Sequence, residues 1–404
     1  MKRLVYNEIK LFLSKKNIVI TIIGIILMVV LFQFNYVKNY REYPEMYQYK
    51  LQEEIDNATV WSERVSIRLE RLLKEYPGHE DTPEAELEAR TWKSNLAYLQ
   101  YLQRLWENSE RNEVEIKEME KTMDDNLIPF HEQGIEVGVT GLYKSDERDW
   151  NSRILLRNAY NSKNTEEPLI PIRPDGGYLL SDALNGISIP YLIIMMLLIL
   201  WNFNIWSEDF ENETARLIFT LPYSKSEIYL TRFITRFLMS LMGILICLLA
   251  LFLSGYIKFG SGLERWIIVN QKGINNFKFF NLSRLELLPL DKAVSIKKYL
   301  LLELVLFIPY ILMLYTIIQF VSFISKNQMI SLIMPIIGLI VLSTNLFLPK
   351  ESYIVGANIF LYMQTEKMFS GALGIGLPLA VVLLFVVSSV FIGLSIMVLN
   401  KREN

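Results

Sequence analysis

The sequence predicts an all-α integral membrane protein: a six-helix transmembrane bundle with a mainly helical, coiled-coil hairpin domain outside the membrane between the first two spans. Three observations carry this. Hydrophobic residues make up 51% of the 404-residue chain, and they gather into uncharged blocks of about 20 residues, the length a helix needs to cross a hydrocarbon core. Mean hydropathy is +0.25, too apolar for an ordinary soluble enzyme. Residues 38–186 hold 19 Lys or Arg against 30 Asp or Glu, a net of −11, whereas the rest of the chain holds 22 against 13, a net of +9. An acidic module therefore interrupts a basic membrane body.

Residues 1–16 come first. Leu4, Val5, Ile9, Phe12 and Leu13 share one helical face, with Lys2, Arg3, Asn7, Lys10 and Ser14 opposite. Such a segment is either a cytoplasmic helix lying along the inner membrane surface or a basic flank continuous with the first span. That span, 17–37, is too long for a signal-peptide core, and no small-residue cleavage site precedes Lys38, so it is read as a retained helix. Further runs follow at about 187–206, 233–257, 299–324, 329–348 and 373–399, each able to satisfy its backbone within lipid.

Lys2, Arg3, Lys10, Lys15 and Lys16 place the N-terminal flank in the cytoplasm. Alternation then puts 38–186, 258–298 and 349–372 outside, and 207–232, 325–328 and the tail Lys401, Arg402, Glu403, Asn404 inside. The loop 258–298 carries eight Lys or Arg and opposes this assignment, which rests on the usual dominance of the first flank. The expected setting is a bacterial plasma membrane with both termini cytoplasmic.

In the module, Leu51, Ile55, Ala58, Ser62, Val65, Leu69, Leu72 and Tyr76 alternate steps of four and three, a heptad seam with one polar interruption. Pro77-Gly78 stops that helix and Thr82-Pro83 starts its partner, which presents Ala85, Ala89, Trp92, Leu96, Leu99, Leu102 and Trp106 and runs on to about Met123. Residues 127–144 suggest a small β-hairpin or compact loop. Ser145 opens another helix bearing Trp150, Ile154, Leu155 and Tyr160, and PLIPIRPDGG leads to the second span. With one cysteine, Cys247, the module has no intrachain disulfide to staple it.

After the second span the chain reads SEDFENETARLIFTLPYSKSEIYLTRF. Ser207 can cap a short helix whose first turn carries Glu208, Asp209 and Glu211, ended by Leu221-Pro222. Ser224 and Glu227 have capping-box spacing for a second helix, which enters the membrane through Tyr229, Arg232 and Arg236. Here the chain resembles the permease subunits of ABC-2 type transporters, which share an acidic segment after the second span and then a Thr-x-x-x-x-x-x-x-Pro-x-Ser-[Lys/Arg] pattern. The matching residues are Glu208, Glu211, Thr214, Pro222, Ser224 and Lys225.

The resemblance implies that the short helix, about Glu208 to Thr220, is a coupling helix seated in a cleft of a separate ATP-binding subunit. Glu208, Asp209, Phe210, Glu211, Thr214, Ala215 and Arg216 are the docking residues it implies. It further implies a dimer with a like or different permease subunit, a lipid environment, and export or clearance of an amphipathic, peptide or lipid-like substrate. The large module at 38–186 departs from the compact members and resembles those linked to antimicrobial peptide export or immunity.

No G-x-x-x-x-G-K-[ST] occurs, so ATP and its Mg must act through the partner subunit and not through a P-loop here. No H-E-x-x-H or G-x-S-x-G occurs, and His79 and His131 are the only histidines, which argues against a protease or hydrolase and against a metal site. Nothing in the sequence points to a nucleic acid. Glu303 lies just inside the fourth span, where a carboxylate is costly; it is either part of a substrate path or reaches interfacial water and Lys298. Trp201 and Trp206 are expected in the aromatic belt, and Pro309, Pro335 and Pro378 are candidates for kinks. The alternative from another class is a non-transporting sensor or scaffold whose external module binds a ligand or envelope protein.

Overall fold

The computed structural model describes residues 2–107, 155–156, 158–160, 162–163, 173–214, 218–220, 222–275, 277, 291–325, 327–343 and 358–401. The chain divides into two compact units, one formed by residues 1–37 with 174–404 and the other by Lys38–Arg173. Residues 174–186, which the sequence groups with the module, belong to the first.

The first unit opens with α1 (Lys2–Phe12) and α2 (Lys15–Leu31), followed by a π-helical segment, Phe32–Val37. The second unit holds α3 (Lys38–Glu75) and α4 (Thr82–Glu107). These form the antiparallel hairpin that the two apolar seams require: Leu51, Ile55, Ala58 and Leu99 make a buried cluster against which Trp92 and Leu96 pack, and Trp61 stacks on Trp92 with ring centroids 6.0 Å apart. Gly78 at the reversal has φ +84°, a left-handed conformation that glycine adopts without cost. The β-hairpin expected at 127–144, the helix start at Ser145 with Trp150 and Ile154, and the continuation of α4 to Met123 lie outside the described residues.

Back in the first unit, α5 (Gly176–Leu184) is capped by Asp175, whose carboxylate accepts from Tyr178 N at 2.9 Å. A Cβ on Gly177 would come within 3.2 Å of the Ser261 and Gly262 carbonyls, so glycine lets α5 reach that loop. There Gly177 N donates to Ser261 O at 2.7 Å. Next come α6 (Ile189–Asn202), capped by Ser188, the short α7 (Ser207–Glu211), and the long α8 (Lys225–Phe259).

The segment 258–298 folds partly as a two-stranded ribbon, β1 (Trp266–Val269) antiparallel to β2 (Lys292–Ser295), with α9 (Gln271–Asn275) after β1. WIIV is only four residues long, too short for its alternation to stand out from an apolar run.

Helix α10 (Ile296–Ser325) runs through the centre of the bundle, followed by α11 (Gln328–Ser343), α12 (Thr365–Phe369) and α13 (Leu377–Lys401). Residues 358–372, expected in an external loop, instead fold into the protein: Leu361, Tyr362, Met363, Met368 and Phe369 are buried. The Tyr310 hydroxyl donates to Phe360 O at 3.3 Å, about 20 Å along α10 from its first residue at 1.5 Å per residue. Irregular backbone there is covered by protein.

Among the described residues, five helices are long and apolar enough to cross a membrane: Lys15–Glu42, Ile189–Glu211, Lys225–Phe259, Ile296–Ser325 and Leu377–Lys401. The expected span at 329–348 corresponds to a shorter apolar helix, and 344–348 lie outside the described residues. Pro309 and Pro335 sit inside α10 and α11. Pro378 does not interrupt a helix; it is the second residue of α13, where a missing N–H costs no bond.

Candidate functional site

The residues after Trp206 lie at the end of the bundle where α1, the first turns of α8 and the α10–α11 connection converge. The organising feature is charge. Arg232 and Arg236 stand one turn apart on α8, both buried. An apolar helix carrying two buried guanidinium groups needs anions against it.

Two arrive from distant parts of the chain. Glu8, 3% exposed in the middle of α1, accepts from Arg232 Nε at 2.8 Å and from Arg236 Nε at 3.0 Å. Asp209 accepts from an Arg232 terminal nitrogen at 2.5 Å. That nitrogen also donates to Ile205 O at 3.2 Å, and the Arg232 guanidinium lies 4.5 Å from the centroid of the Trp206 ring. Burial pushes the Glu8 carboxyl upward, but Arg232 and Arg236 outweigh it and hold the group below the usual glutamate value.

A hydrogen-bond chain ties the start of α7 to the other side of the bundle. Trp206 N and Ser207 N both donate to Ser322 Oγ, at 3.1 and 3.2 Å. Trp206 Nε1 donates to Gln319 Oε1 at 3.0 Å, Gln319 Nε2 to the Tyr315 hydroxyl at 2.9 Å, and that hydroxyl to Phe233 O at 3.0 Å. Trp206 is thus fully enclosed, as is Trp201, whose ring packs on Phe12. Neither is a belt aromatic. Ser207 is not the cap either: Trp206 holds that position and Ser322 satisfies the open N–H groups, while the Ser207 hydroxyl donates to Phe203 O at 3.2 Å.

The expected helix from Glu208 to Thr220 is interrupted: Ile218 and Phe219 are helical again, but α7 itself is short. It ends at Glu211, with Asn212 as C-cap, and Glu213 takes φ +57°, which breaks the helical path. The capping box of α8 does form: Glu227 N donates to Ser224 Oγ at 3.3 Å and Ser224 N to Glu227 Oε2 at 2.9 Å.

The predicted docking residues divide into two faces. Asp209 and Phe210 point inward, Phe210 lying edge-on to Phe323 with centroids 5.4 Å apart. Glu208, Glu211 and Thr214 are exposed. Glu208 accepts from Asn204 at 2.5 Å, Glu211 accepts from Gln328 N at 3.3 Å, and Thr214 donates to Asp209 Oδ1 at 3.0 Å. Ala215 and Arg216 lie outside the described residues.

Glu303 is remote from this cluster, nearer the opposite end of α10. It does not reach water or pair with Lys298. It is fully buried, Oε1 accepting from Ser181 Oγ at 3.2 Å and Thr365 Oγ1 at 2.7 Å while Oε2 has no hydrogen-bond partner. Among the described residues no group of His, Cys, Asp and Glu side chains is placed to hold a metal ion.

Sequence reasoning missed Glu8 and Ser322. The signal for Glu8 was present in Arg232 and Arg236, since an i, i+4 arginine pair in an apolar helix demands buried anions. No protein-family model matches the chain, and neither a curated protein nor a solved structure matches it.

Proposed function

We propose that this chain is the membrane-spanning permease subunit of an ATP-driven transporter of ABC-2 type, working as a dimer with a like or different subunit in a bacterial plasma membrane. The segment after Trp206 faces the cytoplasm in this reading, with both termini on the same side, and receives the movement of a separate ATP-binding subunit that holds ATP and Mg. The substrate class is an amphipathic, peptide or lipid-like compound.

One observation carries the reading. The short helix α7 is joined at once to α1 and α8 through Asp209, Arg232 and Glu8, to α10 through Ser322, and to the start of α11 through Glu211. A push on its exposed edge is therefore delivered to four helices together, which is what a coupling element must do. The edge left for a partner is acidic, with Glu208, Glu211 and Glu213 exposed, so the matching cleft is basic.

The test is a pull-down from native membranes. A P-loop ATPase is expected to copurify with the wild type and to fall at least about tenfold with Glu208→Lys/Glu213→Lys, as charge reversal across a complementary interface implies. Recovery of no ATPase with the wild type overturns the reading. The hairpin unit would serve a sensor equally well, and reconstituted vesicles separate the two: only a transporter moves a compound across the bilayer.

A further inference from the structure

An apolar cleft of about 130 Å³ opens between α6, α10 and α11, with Phe360 also in its lining, away from the charge cluster of Glu8, Arg232 and Arg236. Its floor is Met195, Leu198 and Ile199 of α6, all buried. Two ridges frame its mouth, Ile317 and Val321 on α10 and Met334 and Gly338 on α11, each pair one helical turn apart on facing helices. The cleft has a cause in the sequence. Gly338 brings no side chain where its neighbours bring branched ones, and a Cβ built there meets nothing within 4 Å.

The medium at the mouth follows from the flanking residues. Ile324 on α10 and Ile330, Ile333, Met334 and Ile337 on α11 are large, apolar and exposed, and α10 is long and apolar enough to span a membrane, so hydrocarbon bathes this face. The lining residues are all apolar. A dry apolar cavity of about 150 Å³ takes up benzene or xenon in preference to water, and this one is of similar size. It is too narrow for a helix, whose diameter with side chains is about 10 Å, but it admits a few methylene groups.

We propose that the cleft is a lipid-tail site: a bilayer lipid inserts the terminal carbons of one acyl chain between α10 and α11 until they rest on Leu198 and Ile199. The site does not depend on the transport reading. The tail supplies the packing that Gly338 withholds, and it holds α11 at a fixed spacing from α10.

The experiment uses the full chain in nanodiscs of phosphatidylcholine bearing a diazirine at the end of one acyl chain. Irradiation and peptide mapping are expected to find adducts at Leu198 or Ile199 as well as at outward Ile333 and Ile337. In Gly338→Leu, which enters open space, the floor adducts should fall at least fivefold while the outward ones persist; Gly338→Ala should give an intermediate loss. Adducts confined to the outward residues in the wild type, or floor adducts unchanged in both variants, overturn the proposal. So does a Met334→Cys variant that crosslinks between two copies while the floor stays unlabelled, because the cleft would then be closed by a second chain.

Discussion

The Glu8 carboxylate meets the Arg232 side chain at 2.8 Å across 224 positions of sequence, and its other oxygen meets Arg236 at 3.0 Å. Three ionised groups are thus sequestered together, with Asp209 completing the balance. Such a cluster contributes little net stability over an apolar replacement, but removing one member strands the rest, at a cost of about 3–5 kcal/mol. Glu8→Ala is accordingly expected to lower stability by about that amount, measured as a fall in the unfolding midpoint in detergent. An unchanged midpoint would mean that α1 is not held by these charges.

The direction of the pH response follows from the same groups. The Glu8 carboxyl is held below its ordinary value of 4.5 by Arg232 and Arg236, against the upward effect of burial, so its contribution is present above pH 4.5 and is lost as pH falls through the lower, folded value. Asp182 behaves oppositely. Burial raises it above 3.8, with the hydrogen bond from the Tyr36 hydroxyl opposing, so its contribution is complete below 3.8 and declines as pH rises through the raised value. Unfolding midpoints recorded across pH should show Glu8→Gln flattening the acid limb. Asp182→Asn should flatten the decline on the higher side, and exchanged effects would refute the assignment.

The long apolar helices were legible because a chain crossing lipid must pair its own backbone groups, and that demands uninterrupted apolar runs. The α3–α4 hairpin was legible because its seam is local, buried at Leu51, Ile55, Ala58, Ser62 and Val65 at steps of three and four, half-buried at Leu69 and Leu72 and closed by Pro77-Gly78, although Tyr76 at its end is exposed. The partners of Arg232 were not, since no period in the sequence relates α1 to α8. The packing of residues 358–372 was not legible because an apolar segment bounded by Gly and Ser reads equally as a loop; only its fit against Tyr310 and Glu303 shows that it is buried in the protein. In the docking segment, composition revealed the acidic cluster but not which face of a five-residue helix each acid takes.

That division of faces changes how the docking segment should be probed. Asp209 is bound to Arg232 but its side chain keeps 20% of its exposure, unlike that of Glu8, so Asp209→Ala is expected to cost less than the loss of a fully buried member, about 1.5–3 kcal/mol, the range for a hydrogen bond to a charged group. Glu208→Ala, exposed and bonded only to Asn204 among the described contacts, should fall within about 0.5 kcal/mol of wild type. Replacing Glu208, Asp209 and Glu211 together would mix the two effects. A thermal scan of each single variant separates them.

Ser322 offers a cleaner perturbation of the same helix. Its hydroxyl oxygen accepts from both Trp206 N and Ser207 N, so Ser322→Ala leaves two buried donors open at a cost of about 1–3 kcal/mol each at most. The expected result is faster amide exchange at 206 and 207 with the α10 amides unchanged. Uniform acceleration throughout α10 would mean that the serine supports its own helix and not α7.

The hairpin unit makes the sharpest demand on a single side chain. Leu99 is fully buried in a cluster with Leu51, Ile55 and Ala58 of the facing helix, and close-packed side chains relax only partly into a gap. Leu99→Ala should therefore leave most of its cavity open and cost about 2–5 kcal/mol, toward the upper part of that range. Among the described residues the α3–α4 pair is held by this cluster, by buried Val65, Ala85 and Ala89, by the Trp61–Trp92 stack and by scattered polar links such as Gln103 to Gln52 at 2.6 Å. A loss of that size is expected to expose the turn at Pro77-Gly78 to limited proteolysis, with cleavage increasing at least tenfold, since 1.4 kcal/mol already shifts an opening equilibrium by that factor. If cleavage at the turn instead matches wild type at equal protease, the two helices do not depend on this seam for their pairing.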